Sequence, residues 1–541
     1  MKKRILSLLY FLLVTVYSIQ AQKYTALDSL RGSYHANRSC YDLNQYHLKL
    51  KVDPVTRYLS GTNRIFCTGL SESRSLQIDL DPAFDILSIE TSEGTAKWKR
   101  MGTSVVLQLP FLIQPNKKFW LDVVYKGHPH TAANPPWDGG FVWETDADGL
   151  PWIGVSCEGE GASLWFPSKD HPADEPDSVL LQYEVPRNLV AVGNGQFLGR
   201  KAVSDSTYMY SYKVTYPINQ YNITFNAAAY QTWIDTIRLP ISGRVMNMSF
   251  YALREDLERA KKQWAQAKTV LRVLGRQFGD YPFPNDGYKL VQTPYLGMEH
   301  QSCIAYGDKF DNNAFGFDFI VMHETGHEWW GNYTSADDHA DMWIHESFCT
   351  YSEALFVEAL QGKEKAMDYL VLQKKKIKNK SPVQGERDVY FQDWKDSDMY
   401  YKGSWMLHSL RFVINDDVLW FDCLKSIRSQ FGMKPVSSVE LQKHMSSFLK
   451  RDLASFFQQY LNKTQWPELE FRRVLKDGEG TIGFRWKTDV KDFQYPAPVF
   501  INGQPHRIET GNRWTEIALR DPIKTVEADE RLFLYRLKEV K

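Results

Sequence analysis

The chain has 541 residues, of which 43% are hydrophobic and 14% aromatic, and its 65 basic residues cancel its 65 acidic ones. That length exceeds one compact domain and favours roughly two to four. Balanced charge excludes a global field that gathers nucleic acid or an anionic membrane, so partners belong to local sites.

At the N-terminus Lys2, Lys3 and Arg4 precede the apolar run ILSLLYFLLVTV from Ile5 to Val16, and small and polar residues follow around Ser18 and Ala21. Such a run is too short to span a bilayer as a helix and suits the apolar core of an export signal. Residues 1–21 therefore read as a signal peptide, and the chain from residue 22 as periplasmic or secreted, with no integral membrane span. Six scattered cysteines (Cys40, Cys67, Cys157, Cys303, Cys349 and Cys423) show no CxxC or disulfide-dense spacing, and their pairing cannot be read.

Residues 22–240 read as an antiparallel β domain, a curved sheet or sandwich. YHLKLKV puts Leu48, Leu50 and Val52 on one face, and LQIDL, VVLQL, FWLDVVY, VLLQYEV and YNITF follow between Gly, Pro, Asn and Asp. After Pro240 and Gly243 the period lengthens: Leu257, Ala260, Trp264, Ala267, Leu271 and Leu274 make one helical stripe ending near Gly275. Helical patterns continue around residues 318–330, 344–361, 402–415 and 438–460, so residues 241–460 form a mainly helical domain. From Trp466 and Pro467 alternation returns in ELEFRRV, TIGFRW, APVFING and WTEIAL, which makes residues 461–541 a small C-terminal β domain of sandwich type. The fold class is α+β and multidomain.

The helical domain contains HETGHEWWGN. Positions i and i+4 share a helix face, so His323 and His327 can converge on one ion with Glu324 beside them. A hydrolytic zinc site uses three protein ligands and keeps one position for water. Glu346, in WIHESFCTYSEAL, follows a polar loop long enough to reverse the chain and is the expected third ligand. Glu353 falls on the same helical face and can accept a hydrogen bond from a ligating imidazole. With one zinc ion in place, Glu324 would move the proton in the hydrolysis of an amide.

These motifs resemble the aminopeptidase N family of gluzincin metallopeptidases, which also contains the leukotriene hydrolase. HETGHEWWGN and WIHESFC resemble its HExxH, WxGN and WLNEGFA-like segments, PYLGMEHQS its GxMEN motif, YYKGSWML its YxKG motif, and LWFPSKDHPADEPDS its WFPCxDxP segment. The resemblance covers nearly all of the chain after the signal. It implies a thermolysin-like catalytic domain behind an N-terminal saddle. It also implies oxyanion stabilisation by Tyr400 rather than Tyr401, and amine binding by Glu299, with Glu158 as a second amine-binding residue. The expected partners are peptides with a free N-terminus; oligomeric state stays open.

Three departures stand out. His300 replaces the family's asparagine, which is expected either to change how the substrate backbone is held or, with a reference pKa near 6.5, to create a pH-sensitive contact. Ser347 replaces the glycine after the third ligand, and Glu328 is expected to add negative charge beside the zinc helix. The leading reading is a zinc aminopeptidase. Its rivals are an endopeptidase or epoxide hydrolase on the same scaffold, and a non-catalytic binding protein that keeps the fold.

Overall fold

A computed structural model of the chain describes residues 24–392, 394, 396–476, 479–519 and 521–540; the signal-peptide reading of residues 1–21 lies outside them. The described chain is an α+β assembly with a β-rich N-terminal part, a mainly helical middle and a small C-terminal β part.

A short helix, α1 (Ala26–Gly32), comes first, closed by a capping box between Thr25 and Asp28. An eight-stranded sheet follows, with strand order 196–202, 207–214, 178–186, 41–53, 58–69, 118–127, 84–91 and 94–95. Leu48, Leu50 and Val52 point into its core, as period-two alternation requires. The sheet is not wholly antiparallel, however: Tyr41–Asp53 pairs antiparallel with Tyr58–Gly69 but parallel with Ser178–Pro186. A parallel pair needs a long crossover, and the chain after Gly127 supplies one by building two strands of a separate four-stranded sheet, Gly140–Thr145 and Pro151–Ser156. YNITF is also not the strand its composition predicts. Gln220–Asn222 is a 3-10 turn, capped by the Asn219 side chain, and the strand begins at Asn226.

The middle part is built on a five-stranded mixed sheet that the helical periodicity does not announce, in the order 231–238, 245–252, 288–292, 304–306 and 297–298. Its first two strands are an antiparallel pair joined through Pro240 and Gly243, so the sequence boundary at 240 falls inside a hairpin of this sheet. The expected single stripe of 257–275 is two helices, α2 (Leu257–Trp264) and α3 (Ala267–Phe278). The side chain of Gln266, between them, accepts a hydrogen bond from Asp318 N at 3.1 Å and ties the break to the next helix. Gly275 does not end α3, because its missing Cβ is what lets Pro240 pack against the helix; the stop is Gly279, at φ +101°.

The remaining helices of the middle part are α4 (Phe319–Gly326), α5 (Trp343–Gln361), α6 (Lys363–Lys374), α7 (Tyr401–Ile414), α8 (Asp417–Phe431), α9 (Ser438–Phe448) and α10 (Ala454–Asn462). The C-terminal part is a pair of sheets, of four and three strands, whose inner residues Ile482, Phe484, Trp486, Ala497 and Val499 join the same apolar cluster as Phe456, Phe457 and Tyr460 of α10. Among the described residues no helix is long and apolar enough to cross a membrane. All six cysteines are buried free thiols.

Candidate metal centre

Helix α4 starts at Asp318, whose carboxylate accepts from Val321 N at 3.0 Å and also from the Gln263 amide and the Tyr306 hydroxyl, each at 2.7 Å. Thus anchored, it delivers His323 and Glu324 from its last turn and His327 from its C-cap. The chain then reverses through Gly331, at φ +121°, where a Cβ would stand 3.3 Å from the rings of both His327 and His345. Glycine fits both the backbone angle and the space. Strand Thr334–Ala336 pairs with Lys434–Val436 and launches α5, which carries Glu346 and Glu353.

Three atoms converge there. His323 Nε2 and His327 Nε2 are 3.2 Å apart, and Glu346 Oε2 lies 3.6 Å from the first and 3.5 Å from the second. A tetrahedral zinc site with bonds of about 2.0–2.1 Å has ligand–ligand edges of about 3.3–3.4 Å, so the triangle already has the right size. Glu346 Oε2 is buried without a hydrogen-bond partner, a costly arrangement unless a cation satisfies it. The outer ring nitrogens are held: His323 Nδ1 by Glu353 Oε1 at 2.7 Å and His327 Nδ1 by the Trp330 carbonyl at 2.9 Å. Glu353 in turn accepts from the Tyr369 hydroxyl at 2.6 Å and the Gln373 amide at 3.1 Å. These bonds direct both Nε2 lone pairs inward. Burial also pulls His327 down to about 4, which keeps it in the neutral form that binds metal. Cys349 lies close but on the wrong side. Its thiol donates to the His323 carbonyl at 3.0 Å, and burial pushes it up to about 12, so it offers no thiolate.

Glu324 sits beside the triangle, and burial pushes its carboxyl up to about 8 against the pull of His323. Room for it comes from Gly297, where a Cβ would stand 2.7 Å from Glu324 Oε1. Glu299 follows two residues later, and its carboxylate, His327 and Glu346 have donor atoms within 4.8 Å of one another. Its Oε1 accepts from the Tyr221 hydroxyl at 2.9 Å, and its backbone carbonyl accepts from the Asn332 amide at 2.8 Å. Asn332 is itself oriented by the Asn222 amide at 2.8 Å.

Two expectations are corrected here. His300 is fully buried, with neither ring nitrogen hydrogen-bonded, and burial pulls it down to about 3; it is neutral across the working range and makes no pH-sensitive contact. Glu328 is buried too. It accepts from Ser302 N at 2.8 Å, and burial pushes it up to about 8, so at neutral pH it is mainly protonated and adds little negative charge.

Tyr400 immediately precedes α7, its ring 6.1 Å from that of His323 and inclined at 27°. The neighbouring Tyr401 hydroxyl instead accepts from Lys376 at 3.0 Å. Ser347 does more than fill the space of a glycine. Its hydroxyl donates to the Met399 carbonyl at 2.7 Å, tying the residue before Tyr400 to the residue after Glu346, and Gly403 leaves room for it. Glu158 reaches the same space, where burial and the charges of Glu299, Glu346 and Glu324 raise its pKa. All eight residues expected from the sequence line one cleft of about 650 Å³.

Residues 266–460 match the peptidase family M1 domain. That match takes in the metal triangle, Glu299 and Tyr400. The chain is 21% identical to leukotriene A-4 hydrolase of Xenopus laevis over 468 residues, covering 80% of itself and 72% of that protein. To endoplasmic reticulum aminopeptidase 1 of Homo sapiens it is 22% identical over 314 residues, and it spans only 33% of that longer protein. In three dimensions it resembles the M1 zinc metallopeptidase of Deinococcus radiodurans, with a TM-score of 0.67, 20% identity, and coverage of 79% of this chain and 95% of that one. A variant of the Deinococcus protein has been seen with a Tyr-Ser-Ala substrate.

Sequence reasoning misses several residues of the cleft. Tyr221 hides in a segment that reads as a strand, and its contact with Glu299 spans 78 residues. Trp137, Gln392 and Trp394 also line the cleft, from irregular loops without a motif. The only signal for Trp137 is the Asn134–Pro135–Pro136 turn before it, which marks a loop but not its destination.

Proposed function

We propose that the chain is a zinc-dependent aminopeptidase that hydrolyses the N-terminal peptide bond of peptides. One observation carries the reading: the His323, His327 and Glu346 triangle, with an orphaned carboxylate oxygen, stands next to a second buried carboxylate, Glu299, that is not needed to complete it. A zinc ion held by the triangle would supply Lewis acidity and acidify a water. Glu324 is placed to take the proton of the attacking water and return it to the leaving amine. The Tyr400 hydroxyl is placed to donate to the oxyanion that develops on the carbonyl. Glu299, fixed by Tyr221, pairs with the substrate's α-ammonium, with Glu158 as its companion, and so sets the cut one residue from the chain end.

Glu299 also weighs against an endopeptidase, because a buried carboxylate beside the triangle is a poor neighbour for a continuing peptide backbone. The N-terminal sequence supports export to the periplasm or beyond, and mass spectrometry of the N-terminus recovered from that fraction tests it. The activity is tested with a panel of aminoacyl fluorogenic amides, with and without a zinc chelator. Cleavage abolished by the chelator and restored by zinc is expected. Equal cleavage of N-acetylated and free-amine substrates would refute the exopeptidase reading.

A further inference from the structure

Two loops without regular structure form one wall of the cleft. Glu158 and Gly159 belong to the first, and Gln392 and Trp394 to the second. They touch, since the Gln392 side-chain amide donates to the Gly159 carbonyl. Loops of this kind hold a site only where something fixes them.

What fixes both is α1, which is remote from the motif residues in sequence. The Arg31 guanidinium donates to the Glu160 carbonyl, two residues from Glu158. It also stands 3.9 Å from the Asp170 carboxylate, which accepts from Ala162 N and Ser163 N at 3.1 Å each and so closes the end of the same loop. The other side of the guanidinium is applied to the second loop, with its carbon 3.7 Å from the centre of the Tyr390 ring. The backbone repeats the link: Tyr390 N donates to Asp28 O at 2.9 Å. Gly32 lies so close to the second loop that a Cβ would stand 1.9 Å from the Val389 carbonyl carbon. The Arg31 side chain is only 17% exposed, so this contact is largely shielded from water.

We infer that Arg31 is a positioning residue for the amine end of the cleft: through the Glu160 carbonyl and the Tyr390 ring it holds Glu158 and Gln392 where a substrate N-terminus meets them. The inference rests on the aminopeptidase reading for its effect on substrates, but the clamp itself can be read without any activity. A planar guanidinium that donates at its edge and stacks on its face does two jobs that lysine cannot do together.

The test uses the full chain and the variants Arg31→Ala, Arg31→Lys and Tyr390→Leu. In hydrogen exchange, the segments 157–161 and 388–392 are expected to exchange faster in all three variants, with α4 and α5 unchanged. For a free-amine aminoacyl amide, KM is expected to rise about five-fold to ten-fold, the equivalent of one lost stacking or hydrogen-bonding contact, with kcat within about two-fold. Zinc content should not change, and Arg31→Ala combined with Tyr390→Leu should add little to either alone. If Arg31→Ala does not fold, Tyr390→Leu is expected to show the same pattern. Unchanged exchange in both loops overturns the inference whatever the activity. An active wild type whose variants keep the wild-type KM overturns it as well. An inactive wild type with faster loop exchange in the variants counts against the aminopeptidase reading and leaves the clamp standing.

Discussion

Glu324 and Glu353 show how position separates two carboxylates of one chemistry. Glu324 lies against Gly297 and lines the cleft beside the triangle, whereas Glu353 is engaged by His323, Tyr369 and Gln373. Glu324→Gln is therefore expected to lower kcat by about 10²-fold to 10⁴-fold, the range of a general base, with zinc content unchanged. Glu353→Ala should do the reverse, weakening zinc affinity by about 10-fold to 100-fold while enzyme saturated with zinc keeps most of its kcat. Chelator competition followed by assay at excess zinc separates the two, and a Glu324→Gln protein that loses zinc would contradict the assignment. His300 marks the limit of reading residues singly. Its type predicts a titrating contact, but full burial keeps it neutral, and burial is not visible in the tetrapeptide GMEH.

At the scale of elements, the sequence was most legible where one helix face repeats. Helix geometry converts the spacing of His323 with His327, and of Glu346 with Glu353, into a shared direction, and in the structure these four side chains meet. The break at Gln266 and the 3-10 turn holding Tyr221 were not legible, because each meets a partner far along the chain, Asp318 and Glu299, and the hairpin across residue 240 was hidden by the change of period that follows it. The join between α5 and α7 is the same kind of feature. Ser347 and Gly403 interlock, and an alanine Cβ at 403 would collide with the Ser347 hydroxyl and its Cβ. Gly403→Ala is therefore expected to move Met399 and Tyr400 away from the triangle and to lower kcat at unchanged zinc content. Because Ser347→Gly removes the obstructing side chain, Gly403→Ala combined with Ser347→Gly should recover part of the loss; no recovery would mean that the steric account is wrong.

In the whole molecule, the cleft exists because the N-terminal β part and the helical part are joined by buried polar bonds. Tyr221 donates to Glu299, Asn222 to Asn332 and Asn194 to the Gln301 carbonyl, while the Ser335 hydroxyl donates to Glu175 Oε1 at 2.7 Å. The last of these leaves Glu175 Oε2 buried without a partner, and burial pushes the carboxyl up to about 7 although the Ser335 bond opposes the rise. The sign follows from proton binding. The folded chain holds this proton at pH values where the unfolded chain, titrating near 4.3, has released it, so the stabilisation is complete below the unfolded value and is lost as pH rises through about 7. Integrated over that window, the loss reaches about 3–4 kcal/mol once the pH is well above 7. Glu175→Gln keeps an oxygen for Ser335 and cannot ionise. The wild type should therefore lose more melting temperature between pH 6 and pH 8 than Glu175→Gln does, with the variant the more stable of the two relative to its own value at pH 6. Comparing the two proteins rather than one removes the contribution of the site carboxylates, which titrate in both. Parallel pH profiles would show that burial at this junction does not shift the titration of Glu175 within that range.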